Sequence, residues 1–164
     1  MAAIDELVKD FLSQKVLAIS SPSPNDPASN RNYRTLLKKG YTVYALNPDV
    51  DTFDDKPVYP DLKSMPEKVD GVVIITDKER TEAIVRECVE LGIPRVWMHD
   101  AMGTHPRIGK GMSKKVGSVS EEAVAMCREN NIMVIPGSCP MQFIGDIGHR
   151  GMRGFLRFIG ALEV

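Results

Sequence analysis

Nowhere in the 164 residues does an uninterrupted apolar stretch approach the roughly 18 that a membrane-spanning helix needs. Cysteine is scarce. Cys88, Cys127 and Cys139 stand at unrelated spacings, which excludes a disulfide framework and a cysteine-based metal motif. That usage points to a reducing, cytoplasmic setting. Net charge is nearly absent as well. The 21 Lys and Arg residues against 22 Asp and Glu leave −1, which excludes a chain-wide basic coat for nucleic acid. The first residues lack a basic flank followed by an apolar run and carry Asp5, Glu6 and Asp10 instead, so they do not read as a signal peptide.

Against those absences, 43% of the residues are apolar and 26% are charged, a balance that supports a folded core rather than disorder. The length fits one domain over residues 1–164. Ile4, Leu7, Val8, Phe11 and Leu12 recur at helical spacing and predict an amphipathic helix over about 3–14. Short apolar runs at 16–19, 41–46, 71–76, 94–98 and 132–135 predict five strands. Between them lie helical patterns at about 29–39, 76–91 and 118–129. Thr76 with Glu79, and Ser118 with Glu121, have the spacing of capping boxes. Residues 49–70, broken by Pro57, Pro60 and Pro66, read as loop. The tail from about 143 to 164 mixes Gly, Arg and apolar residues, with a short amphipathic helix over its last part, Phe155 to Ile159.

Alternating strands and helices predict an α/β fold, a Rossmann-like five-stranded parallel sheet with helices on both faces. Ligands of such sheets bind beyond the C-terminal strand ends. Those ends are Ser20 to Arg34, Asn47-Pro48, Thr76 to Arg80, Met98 to Gly103 and Pro136 to Pro140. No glycine occurs between Lys15 and Lys39, so the first loop lacks the G-x-G-x-x-G fingerprint of nicotinamide binding. No G-x-x-x-x-G-K-[ST] loop is present either. Ser20, Ser21 and Asn30 offer hydroxyl and amide donors to a phosphate, and Arg31 and Arg34 offer charge. Arg31 and Arg34 read equally well as solvated helix residues.

Several stretches share a pattern. They are Asn30 to Arg34, Leu36 to Pro48, Tyr59-Pro60-Asp61-Leu62, Pro66 to Asp70, Gly92 to Met98, and Pro136-Gly137-Ser138-Cys139-Pro140. In order and spacing the chain, over roughly residues 5–143, resembles the small stand-alone CoA-binding domain family. The same domain forms the N-terminal part of the succinyl-CoA synthetase α-subunit. The resemblance implies coenzyme A, or an acyl-CoA, held at the strand ends. By position, Ser20, Ser21, Asn30 and Arg31 would meet the phosphates, Asn47 and Pro48 would border the adenosine, and Thr76 with Arg80 would close over it. Ala18 and Ser29 stand where many family members carry glycine, and a Cβ at either place crowds a phosphate approaching the backbone. The synthetases work through a phosphorylated histidine in a further domain, which these residues do not include, so the resemblance implies binding and not ligase activity.

The segment 103–117 is long, glycine-rich and basic, with Arg107, Lys110, Lys114 and Lys115. It reads as a lid for a phosphorylated ligand or as a solvated loop. Cys139 follows the fifth strand, with no base beside it in sequence, and reads as structural. His99, His105 and His149 are scattered, and no metal motif joins them. The sequence therefore predicts a binding protein that senses, carries or regulates through CoA, with no catalytic residue assigned. A small nicotinamide- or thiol-dependent enzyme and a ligand-free interaction module of the same fold are the alternatives. Neither nucleic acid nor membrane is expected as a partner, and a homo-oligomer or a protein partner stays open.

Overall fold

The computed structural model describes residues 4–100 and 117–158, with side chains as far as Phe155. The basic segment singled out above, with His105, lies outside the described residues apart from Gly117. In chain order the elements are α1 (Ile4–Leu12), β1 (Val16–Ser20), α2 (Pro27–Lys38), β2 (Thr42–Leu46), β3 (Thr52–Phe53), β4 (Lys56–Tyr59) and β5 (Gly71–Ile74). After these come α3 (Lys78–Leu91), β6 (Arg95–Met98), α4 (Glu121–Glu129), β7 (Met133–Pro136), α5 (Met141–Ile144) and α6 (Ile147–Phe158).

The strands form one sheet in the order β3-β4-β2-β1-β5-β6-β7. Every pairing is parallel except that of β3 with β4. The chain winds outward from β1 to β2 and β4, then returns to β5 and winds the other way. This is the doubly wound, Rossmann-like arrangement that the sequence predicts, with seven strands in place of five. The extra pair lies in the segment read as loop. β3 has two residues and β4 contains Pro57, so neither shows the alternation or the residue preference of a strand. Proline is tolerated there because the hairpin sits at the sheet edge.

Alternation along each strand divides the core in two. Leu17, Ile19, Val43, Ala45, Val73, Trp97 and Ile135 face α1 and α2. Ala18, Leu46, Val72, Ile74, Val96, Met98 and Val134 face α3 and α4. Two-sided burial explains why Gly71–Ile74 is apolar without a break. On the first face Phe11 meets Trp97 edge-on at 5.4 Å, and Trp97 meets Phe143 at 5.6 Å. The indole N–H donates to Gly137 O at 3.1 Å, which ties this aromatic row to the turn after β7.

The helix starts differ from the capping boxes expected. α3 is capped by Asp77, whose carboxylate accepts from Arg80 N, and α4 by Ser120, whose hydroxyl accepts from Ala123 N. Thr76 and Ser118 bond each other instead, Thr76 N donating to Ser118 Oγ at 2.9 Å. α2 starts two residues before the expected Ser29, because Asp26 caps it and Pro27 takes the first turn. In the tail, α6 starts at Ile147, well before Phe155. Glycines at 148, 151 and 154 hide its periodicity.

Gly71 begins β5 beneath the Phe11 ring. A Cβ there would lie 2.9 Å from Phe11 Cε2 and 3.2 Å from Arg95 Cβ. Phe11 is fully buried and cannot swing aside. Gly71→Ala is expected to destabilise the fold by about 1–3 kcal/mol, the cost of overpacking a close-packed core. A urea-unfolding midpoint unchanged from wild type would contradict this packing.

Candidate functional site

The winding direction reverses between β1 and β5, so the crevice beyond their C-terminal ends is where such sheets bind ligands. Ser20 closes β1 there. Its buried hydroxyl accepts from Ile75 N at 2.7 Å, and its carbonyl accepts from the Ser29 hydroxyl. The next residue, Ser21, adopts φ +66°, a left-handed conformation unusual for a side-chain-bearing residue, while its N–H donates to Leu46 O at 2.8 Å. The loop then turns under Asn30, which accepts from Ser23 N at 3.1 Å and donates to Ser23 O at 2.6 Å. Asn47 reaches in from β2 and donates to Pro22 O at 3.3 Å, while its other amide atom accepts from Asp49 N.

Of the residues picked from sequence, Ser20, Ser21, Asn30 and Asn47 are thus joined through the first loop, while Pro48 and Thr76 lie just beyond the C-terminal ends of β2 and β5. Ser20, Asn30 and Asn47 spend polar atoms on shaping that loop. Arg80 pairs with Asp49 at 2.7 Å, joining the start of α3 to the turn after β2. Arg34 points elsewhere. Its guanidinium grips Asp54 with two bonds of 2.6 and 2.7 Å and lies over the Phe53 ring, on the β3–β4 hairpin. Arg31 shares no ion pair with a carboxylate among the described residues and stands 3.5 Å from His149 Nε2.

The two substituted positions differ in place. Ala18 lies within β1, in the core shared with Val72, rather than at the strand's exit. Ser29 lies in the first turn of α2, and its hydroxyl donates to Ser20 O and so holds helix and strand together. The N-terminus of α2 is shared with the Asp26 carboxylate, which accepts from Ser29 N at 3.0 Å. The start of α2 therefore presents its helix terminus and Arg31 together with one acidic neighbour, Asp26.

Alongside this crevice a cavity of about 570 Å³ opens between α2, α5 and α6. Pro27, Ala28, Arg31 and Asn32 line it from α2, His99 from just after β6, Cys139 from the turn after β7, Met141 from α5, Asp146 from the residue before α6, and His149 and Met152 from α6. Sequence reasoning noted His99, Cys139 and His149 singly and missed Pro27, Ala28 and Asn32. The helical spacing of 27, 28, 31 and 32 along one face of α2 was the available signal. Burial raises the Cys139 thiol pKa, against the opposing pull of the Met141 and Gln142 amides, Asn32 and Arg31. Cys88 and Cys127 are buried on α3 and α4 with raised thiols. Among the described residues no group of His, Cys, Asp and Glu could hold a metal, and no helix is long and apolar enough to cross a membrane.

A family model described as a CoA binding domain matches residues 15–143. The chain belongs to that CoA-binding domain family. Among solved structures, a hypothetical protein from Pyrococcus horikoshii OT3 aligns with a TM-score of 0.70 at 21% identity, covering 85% of this chain and 91% of that one. A protein from Thermus thermophilus gives a TM-score of 0.65 at 19% identity, over 90% and 98% of the two chains. The dinucleotide-forming acetyl-coenzyme A synthetase 1 of Ca. Korarchaeum cryptofilum gives 0.57 at 20% identity, over 74% of this chain and 25% of the synthetase. At these identities the three likenesses speak for the fold.

His99 is half-buried, and burial lowers its pKa from the usual 6.5, while Asp100 and Asp26 pull the other way. The unfolded chain therefore takes up this proton first as pH falls. Stability is level above about 6.5 and declines as pH drops below it. Melting temperature is expected to fall between about pH 7.5 and about pH 5.5, and His99→Gln is expected to flatten part of that fall. Identical slopes in the two proteins would contradict the assignment.

Proposed function

We propose that the protein binds coenzyme A, or an acyl-CoA, at the C-terminal ends of β1, β2 and β5, in a sensing, carrying or regulatory role without catalysis of its own. The observation that carries this reading is the crevice itself: in a chain of the CoA-binding domain family, the reversal of winding opens directly onto the N-terminus of α2. CoA is strongly anionic. Arg31, unclaimed by a carboxylate among the described residues, stands one turn into α2 and supplies the charge that the Asp26 cap takes from the helix terminus. The Ser21 backbone N–H is spent on Leu46 O, so its hydroxyl is what the loop offers the phosphates, while Ser20, Asn30 and Asn47 hold that loop in shape. Asn47-Pro48 and Thr76 border the adenosine. Arg80 lies beside them with its charge shared with Asp49. Arg34 takes part only by leaving Asp54.

A raised Cys139 thiol with no base bonded to it among the described residues does not favour a thiol-dependent enzyme. The unbroken lack of glycine before Lys39 does not favour a nicotinamide one.

Calorimetric titration with CoA, using NAD and ATP as controls, tests the reading. Micromolar binding of CoA is expected, and Arg31→Ala is expected to weaken it about tenfold, the scale of one charge-assisted hydrogen bond. Heat from NAD and none from CoA would overturn the proposal.

A further inference from the structure

α6 reads Ile-Gly-His-Arg-Gly-Met-Arg-Gly-Phe-Leu-Arg-Phe, without an acidic residue. With ~100° between successive residues, Ile147, Gly151 and Phe155 fall on one face, and His149 and Arg153 stand nearly opposite. A surface helix ordinarily turns its apolar face to the core. Here the polar side is turned inward. His149 Nε2 stands 3.5 Å from Arg31 of α2. Arg153 bonds Asp5 of α1, and its guanidinium lies 4.5 Å from the centre of the Phe143 ring.

The apolar side is left in water. Ile147 is 87% exposed and Phe155 59%, with Met152 beside them at 49%. Among the described residues these three are the exposed large apolar side chains, and all lie on this one helix. A Cβ added at Gly151 or Gly154 would meet nothing within 4 Å. A concentrated apolar face of this kind marks a surface that something else covers.

Charge and area select the occupant. Arg150 is exposed and shares no ion pair among the described residues, and Arg157 follows in sequence. Two copies paired through α6 would bring arginines together with no acidic residue on either helix to answer them. A helix of 12 residues is ~18 Å long and ~10 Å across, so such a pair would bury only about 360 Å², against the ~1,200 Å² from which stable protein interfaces start. A lipid surface needs no such complement, and an anionic one supplies the missing negative charge. A strongly amphipathic helix of low overall hydropathy with cations on its polar side is the form that lies in a membrane interface.

We infer that α6 docks the protein on an anionic lipid surface, Ile147 and Phe155 entering the boundary between headgroups and acyl chains and Arg150 pairing with lipid phosphates. This departs from the expectation of no membrane partner, which rested on composition and on the lack of a spanning helix. An interfacial helix spans nothing, and its exposed face shows only once α6 is docked by its charged side. The inference does not depend on the CoA reading.

The test is co-sedimentation of the whole chain, without CoA, with vesicles of phosphatidylcholine alone or with about one third phosphatidylserine. Wild type is expected to pellet with the anionic vesicles and to stay in solution with the neutral ones. Raising salt from about 0.1 M to about 1 M is expected to weaken the binding, because screening shortens from ~10 Å to ~3 Å. Ile147→Ser combined with Phe155→Ser is expected to lower partitioning at least about tenfold. Arg150→Ala is expected to lower it about fivefold, the effect of one basic side chain at an anionic surface. These positions are exposed, so melting temperature and CoA affinity are expected to stay at wild-type values. Wild type that ignores the anionic vesicles, or a double variant that binds them equally well, would overturn the inference. A concentration-dependent dimer mass that the double variant abolishes, with no vesicle binding, would give the face to a second copy and overturn it too.

Discussion

Everything near the crevice depends on how Ser20 is held. Its hydroxyl accepts the N–H of Ile75 from the neighbouring strand, and its carbonyl accepts the hydroxyl of Ser29 from the following helix. One residue therefore fixes β1, β5 and α2 to each other at the place where the winding reverses. In dinucleotide-binding sheets glycine brings helix and strand together by being small. Here a serine brings them together by bonding, so the missing glycine motif does not mean a missing turn. Directly after this anchor Ser21 takes a left-handed conformation, and Asn30 and Asn47 bond the loop that follows.

The strand-and-helix alternation was legible because the sheet is covered on both faces. Continuous β-branched runs such as Gly71–Ile74 follow from that, and so does the helix period of Ile4, Val8 and Phe11. What was illegible depended on contacts distant in sequence. Thr76 and Ser118 look like helix caps locally, but each finds the other across 42 residues and leaves capping to Asp77 and Ser120. The β3–β4 hairpin is too short, and interrupted by Pro57, for any period to show.

The candidate site divides along the same line. The loop residues of the crevice were legible because topology alone points to strand ends. Their roles were less so: Ser20, Asn30 and Asn47 are polar for the loop's sake before any ligand's, and Arg34 is drawn off by Asp54 on a hairpin that the sequence did not disclose. The cavity was hidden for a plainer reason. Arg31 and His149 lie 118 residues apart and meet only because α6 folds back over α2, docked there also by the Arg153 contacts to Asp5 and Phe143. No local pattern carries that information.

The hairpin has one more consequence, for how copies of this chain can meet. A sheet edge invites strand addition from a neighbour. At this edge the outermost strand is two residues long. Beside it stand Asp54 and Asp55 in left-handed conformations and Pro57 without an N–H. That edge offers too few aligned donors and acceptors, and too much charge, to template another strand. The sheet is finished on that side, and strand addition there is opposed by backbone geometry and charge together.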